Sequence, residues 1–426
     1  MIANIERQRV TGPPGKLFGM IARTVAALTL SSFAIGLPVW SLAQKAPIPG
    51  HYLFAWTGDA AQKDQSFLAV IDADPRSASY GRLMTTLGTG EKTVNVHHTE
   101  YTMPASGMLF ANDHDAGKTF IFNLGDPLHP AIATSFSDMA GYMHPHSFLR
   151  LPNGHVLATF QHRHDVQMKG PGKTGGLVEI DDQGKVIRSA SSADPAFPNA
   201  LLTPYSLVVL PKLDRVVSTD SAMADEDVFR GLTYQLWRLS DLKLLKTSYL
   251  DPGAGRYGHI SPEEPRLGPD GAVYVQTYAC GIERITGMST DDVKSQLVYV
   301  FPGAYCGVPT IVGHFLIQSV DTLHALIVLD IARGDRPVEV SRLNFDDYNP
   351  HWTGWDDKTQ RLVVTPGSFS QTFRLYLVKL NQTTGDLAVD GAFQDTDGKP
   401  GFNFENRKWP QGWTGTGKPH GVVFSR

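Results

Sequence analysis

The chain has 426 residues, with 38 Lys+Arg against 42 Asp+Glu. No basic excess is present to neutralise a phosphate backbone, which argues against a nucleic-acid partner. Two cysteines are too few for a disulfide scaffold, and 42% hydrophobic content is too high for disorder.

Residues 1–43 read as a signal peptide. Arg7, Arg9, Lys16 and Arg23 precede the apolar run Thr24–Trp40, and Ser41-Leu42-Ala43 offers small residues for cleavage. The alternative is a retained single-pass anchor. No later stretch is long and apolar enough to span a bilayer, so no integral membrane domain is expected after cleavage. The mature domain would be 44–426, periplasmic or secreted. Export makes a Cys280–Cys306 disulfide plausible, with two separate buried thiols as the alternative.

From residue 52 onward, short β-rich runs recur between Gly, Pro, Asp and Asn turns: 52–58, 66–74, 154–160, 176–181, 214–220, 272–278, 296–301, 325–331, 361–367 and 374–380. They repeat at a longer period. PHSFLRLPNGHVLATF (145–160) aligns without gaps to HHTEYTMPASGMLFAN (97–112), and with one late insertion to PYSLVVLPKLDRVVST (204–219). PEEPRLGPDGAVYVQT (262–277) and PHWTGWDDKTQRLVVT (350–365) fit the same frame. A weaker copy lies near 306–319, and PHGVVF (419–424) repeats the opening. The anchors fall at 98, 146, 205, 263, about 307, 351 and 420. This phase predicts an all-β, seven-bladed β-propeller closed by the C-terminal strand.

Equivalent positions near the starts of inner strands point into the axial channel at one level. His98, His146, His351 and His420 then face one another. Four imidazoles suit copper, iron or zinc better than oxygen-seeking Mg or Ca. The alternative is a water-filled channel lined by polar residues. His97 should face the other way in a regular strand, and His144 should share the face of His146 one pleat outward. Either is a further ligand or a partner that fixes an imidazole tautomer. His162 and His164 read as a solvated loop pair, and His129, His155 and His324 as turn or surface residues. Glu263 shares the anchor level and is the candidate general acid/base, with Tyr205 beside it. Glu100 shares the face of His98 and is placed to hydrogen-bond it. Glu264 and Arg266 read as an ion pair, and Asp220 and Glu226 as surface groups. Nucleotide-binding glycine patterns and a nucleophile elbow are missing.

HHTEY (97–101), HPHSFL (144–149), GKTGGLVEID (172–181), PYSLVVLPKLDRVVSTD (204–220), PEEPR (262–266) and the closing His420 resemble the selenium-binding protein / methanethiol oxidase family in kind and order. The resemblance implies a seven-bladed propeller and, for bacterial members, a periplasmic copper enzyme oxidising methanethiol with O2 to formaldehyde, hydrogen sulfide and hydrogen peroxide. Its metal-binding histidines would be His97 or His98, His144 or His146, and His420. His351 departs from the family, where a glutamine is expected. The family's cysteine-bearing segment after the His-His pair is also missing, since TMPASGMLFAND (102–113) has no Cys. Four axial histidines with PHG (419–421) are similar to carotenoid and stilbene cleavage oxygenases, which use Fe(II). The expectation is therefore a copper-dependent oxidase acting on a small-molecule thiol and O2. An Fe(II) alkene-cleaving dioxygenase stands second, and a non-catalytic metal-binding or interaction propeller third. Oligomeric state is left open.

Overall fold

In a computed structural model, seven antiparallel blade sheets follow one another along the chain, six of four strands and one of five. The structure describes residues 50–137, 139–165, 172–223, 227–254 and 257–426. The expected signal peptide, 1–43, and Glu226 lie outside them. We number the blades in chain order by their inner strands: Gly417–Phe424 for blade 1, then Val96–Thr99, Tyr142–Arg150, Pro204–Leu210, Pro262–Leu267, Thr310–Val312 and Pro350–Asp356. Blade 1 is completed by Tyr52–Asp59, Gln65–Asp72 and Leu83–Lys92. The C-terminal strand thus closes the ring as expected, pairing Leu53 with Phe424 and Thr57 with Pro419.

The burial pattern explains the sequence pattern. Middle strands are covered on both faces by neighbouring blades, so Ala325–Asp330 (ALIVLD) is apolar almost throughout and buried. Outer strands meet solvent on one face, and Val338–Asn344 (VEVSRLN) alternates exposed and half-buried residues. Seven apolar clusters fill the seven gaps between blades. Alternation along Tyr52–Asp59 serves two of them: Leu53 and Ala55 face blade 7, while Phe54 and Trp56 face blade 2.

Blade 7 carries an addition that the strand runs in the sequence do not announce. Phe402–Asn403 pairs with Arg374–Leu380, and a small hairpin joins Arg407–Lys408 to Thr414–Gly415. Its rings Phe393, Phe402, Phe404, Trp409 and Trp413 fill the seam between blades 7 and 1. Trp409 meets Phe67 at 4.5 Å between ring centroids. Among the described residues, no helix is long and apolar enough to cross a membrane.

Candidate metal centre

A β-bulge recurs at the start of every inner strand. Val96 pairs with Asp113 and Thr99 with Ala111, so three residue steps on one strand face two on the other. The same offset falls between Pro145 and Phe148, Pro204 and Leu207, Pro262 and Pro265, Pro350 and Thr353, and Pro419 and Val422. In blade 6 it lies between Cys306 and Thr310. A bulge adds one residue and breaks the side-chain alternation of the strand.

The register sets His97, not His98, in line with His146, Tyr205, Glu263, Gly307, His351 and His420. His98 takes the second bulge position, in line with Ser147, Ser206, Glu264 and Trp352. The gapless alignment of 97–112 with 145–160 is therefore one residue out of phase at this strand. His97 does not turn away: its ring stacks on His98, centroids 4.4 Å apart and planes 8° from parallel. Gly307, the small anchor, has a direct cause. A side chain there would meet His351 Nδ1 at 2.6 Å, so the missing group makes room for that imidazole.

The bulges gather His97, His98, His146 and His420. Ring centroids lie 4.1 Å apart for His97 and His420, 4.7 Å for His97 and His146, and 4.4 Å for His98 and His146. His351 sits at the edge of the group, 4.8 Å from His420. Glu264 joins from blade 5, its Oε1 3.8 Å from His98 Nε2. Two overlapping sets of donor atoms are close enough to share an ion: His97, His98 and His420, and His98, His146 and Glu264. Burial, with neighbouring imidazoles adding to it, holds His97, His98, His146 and His420 well below the ordinary histidine range. His351 is pushed to about 4 by burial and Lys418. All are neutral imidazoles near pH 7, the form that ligates metals.

A hydrogen-bond chain behind the cage leaves donor lone pairs facing inward. Ser147 Oγ lies 3.1 Å from Nδ1 of both His98 and His146. Tyr101 Oη lies 3.4 Å from Ser147 Oγ and donates to Glu264 Oε2 at 2.5 Å. Every partner is satisfied if both Nδ1–H groups donate to Ser147 and Ser147 donates to Tyr101. We assign the tautomers on that ground. Glu264 Oε2 also accepts from Ser206 at 2.9 Å and Arg266 at 3.1 Å, so the expected Glu264–Arg266 pair forms. Arg266 lies over the Tyr101 ring at 4.1 Å, and Tyr101 stacks on Trp352. What remains unpartnered and buried is His97 Nδ1, His98 Nε2, His146 Nε2, His420 Nδ1 and Glu264 Oε1. Buried polar atoms are almost always paired, so five orphans in one cage point to a ligand. Three or four nitrogens and one carboxylate oxygen suit copper, iron or zinc.

Above the cage opens a funnel of about 410 Å³, reached by His97, His351, His420, Tyr205 and Glu263. Glu263 accepts from Gln276 Nε2 at 3.1 Å and shares a hydrogen bond with Tyr205. Burial and the adjacent Glu264 push its carboxyl well above the carboxylate range, which favours the protonated form. Burial raises Tyr205 likewise, and its ring lies 3.7 Å from that of His146.

Other candidates lie elsewhere. Glu100 does not bond His98; it is buried in a two-pronged pair with Arg150 at 2.9 and 2.7 Å. Burial raises its carboxyl to about 7 against the pull of Arg150. His144 has a left-handed backbone, φ 57°, which turns it from the cage; its Nδ1 reaches His114 O and its ring meets His162. His162 is half-buried rather than solvated, and burial lowers it to about 3. Asp220 is fully buried and accepts from Thr233, contrary to a surface role. Cys280 and Cys306 form a disulfide. Sequence reasoning did not give Glu264 to the cage. The signal was there: a PEEP segment at the anchor phase carries two adjacent carboxylates, and a bulge presents both.

No family model matches the chain. A methanethiol oxidase from Hyphomicrobium sp is 35% identical over 147 residues, which is 32% of this chain and 31% of that protein. The match thus spans about a third of its relative. A hypothetical selenium-binding protein from Sulfolobus tokodaii shares the fold, with TM-score 0.66 and 14% identity over 89% of this chain and 94% of its own. A periplasmic gluconolactonase from Pseudomonas aeruginosa also shares it, with TM-score 0.59 and 13% identity over 89% and 99%. The resemblance to the selenium-binding protein / methanethiol oxidase family is borne out by the first of these likenesses, and the propeller fold by the other two.

Proposed function

We propose that the chain is a copper-dependent oxidase of small thiols, using O2 and working in the periplasm or outside the cell. The observation that carries this reading is the cage of five unpartnered buried donors beneath a funnel, in a chain similar over 147 residues to a methanethiol oxidase. The charged start with its apolar run, and the Cys280–Cys306 disulfide, support export.

His98, His146 and Glu264, with His97 and His420, would hold the ion. A bound copper ion would supply the redox chemistry between thiolate sulfur and O2. The protein's own contribution is positional and protonic. His97 and His420 form the boundary between cage and funnel, so a thiol entering from solvent meets the metal side through them. Ser147 and Tyr101 lock the imidazole tautomers. The Glu263 carboxyl, held by Gln276 and Tyr205, is placed to return a proton to the departing product. For methanethiol, two electrons and two protons pass from the thiol to O2, giving hydrogen peroxide. Water then supplies the oxygen that replaces sulfur, releasing formaldehyde and hydrogen sulfide.

Metal analysis of the purified protein, followed by O2 uptake with methanethiol, tests this. About one copper per chain and thiol-dependent O2 consumption are expected. Stoichiometric iron without thiol oxidation would favour alkene cleavage instead, and no retained transition metal would overturn both.

A further inference from the structure

We propose that Phe229, Tyr278, Tyr305 and Phe369 form a subsite for the aromatic part of a thiol larger than methanethiol, whose sulfur reaches the histidine cage; this rests on the thiol-oxidase reading above. The four rings make a continuous arc from blade 4 to blade 7. Their centroids lie 5.9 Å apart for Phe229 and Tyr278, 5.0 Å for Tyr278 and Tyr305, and 5.4 Å for Tyr305 and Phe369. The two ends, Phe229 against Tyr278 and Phe369 against Tyr305, are 53% and 55% exposed. Tyr278, Tyr305 and Phe369 line the funnel directly.

The arc is built rather than incidental. Cys280 and Cys306 are both fully buried, and their disulfide joins the loops that carry Tyr278 and Tyr305. Tyr305 N–H donates to Tyr278 O at 3.1 Å, tying the two residues directly. Tyr305 and Cys280 hold left-handed backbones, φ 58° and 68°. That region is unfavourable for a bulky side chain and persists only where surroundings impose it, commonly at binding sites.

The rings lie along one side of the funnel in company with Glu263, Asp321 and Ser368, and face Asn95, Asp115 and Lys418 on the other. Its volume of about 410 Å³ falls in the range that encloses a ring-bearing ligand. A one-carbon thiol would leave the arc untouched. Aromatic rings favour both sulfur and other rings edge-on or offset, so an aryl thiol satisfies both ends of the funnel.

The test is isothermal titration of the purified protein with thioanisole and with dimethyl sulfide, which lack S–H and are not consumed as thiols. Thioanisole is expected to bind about tenfold more tightly or better. Phe369→Ala removes an exposed ring, and Tyr305→Gly removes a ring while suiting the left-handed backbone, so both should fold. Each is expected to lower thioanisole affinity about fivefold and dimethyl sulfide affinity less than twofold. Equal binding of the two sulfides, or an unchanged ratio in both variants, would overturn the subsite. If methanethiol drives O2 uptake while the ratio stays near one, the subsite falls and the oxidase reading stands. If the ratio holds while no thiol, methanethiol or thiophenol, drives O2 uptake, the ring site is upheld and the oxidase reading falls.

Discussion

Glu264 Oε1 lies 3.8 Å from His98 Nε2, and neither atom has a hydrogen-bond partner. A fully buried carboxylate with one oxygen bound three times and the other bound by nothing is unbalanced unless an ion shares it. Glu264→Gln keeps the shape and removes the charge. It is expected to lower copper affinity on the order of 10–100-fold, the range for groups that hold a ligand set in place. Competition with a chromophoric chelator measures this directly. Unchanged affinity would remove Glu264 from the donor set.

Ser147 acts through two imidazoles at once. Its hydroxyl meets Nδ1 of His98 and His146, which presents Nε2 of each to the cage. Ser147→Ala frees both rings to change tautomer without altering the fold's volume. Copper affinity should fall about 10-fold or more, and the copper EPR spectrum should broaden or split. Ser147→Thr keeps the hydroxyl and should restore much of the affinity. A purely structural role would shift melting temperature and leave the spectrum alone.

Much of this centre was legible in the sequence at the level of blades and not at the level of single residues. The anchor phase located the inner strands because a proline or histidine opens six of the seven copies. It misplaced His97 and His98 because a regular strand alternates faces and a bulge does not. Glu100 looked like a neighbour of His98 for the same reason, two residues along a strand that is not regular there. Arg150, fifty residues away, captures it instead. The rings from Phe393 to Trp413 were invisible as structure because two-residue strands carry no periodicity. Glu264 was hidden by its partner: beside Arg266 in sequence it reads as half of an ion pair, which it is, and only the fold shows its second oxygen.

Glu283 offers a pH test away from the cage. It is fully buried in blade 5, beside Ser295 and the Asp251 backbone. Burial, with the charge of Asp251 adding to it, raises its carboxyl to about 8. A group raised on folding favours the folded state below its unfolded pKa, and that contribution is lost as pH climbs through the folded value. Stability should therefore decline between about pH 5 and 8. Glu283→Gln removes that dependence, and at pH 8 the variant should exceed the parent by roughly 2–4 kcal/mol, with the difference vanishing near pH 4. Denaturant titrations at the two pH values measure it. A constant difference between them would mean that Glu283 does not titrate on folding.

Gly421 is where ring closure meets the metal cage. It follows His420 in the second bulge position, where the other blades carry His98, Ser147, Ser206, Glu264, Val308 and Trp352. A Cβ there would stand 2.5 Å from Thr99 N, 2.9 Å from His97 O and 3.0 Å from the His98 carbonyl carbon. These are backbone atoms and cannot swing aside, so Gly421→Ala must push the closing strand away from Val96–Thr99. The cost in stability should be about 1–3 kcal/mol, the range for overpacking. The same movement separates His420 from His97, now 4.1 Å between ring centroids, so copper affinity should fall with stability. Gly354→Ala in blade 7 supplies the control. Its nearest neighbour is a Val363 methyl at 3.3 Å, a side chain that can shift. That variant should melt near the parent and keep its copper. If Gly421→Ala melts early yet binds copper as tightly as the parent, His420 does not belong to the ligand set, and the metal is held by His98, His146 and Glu264.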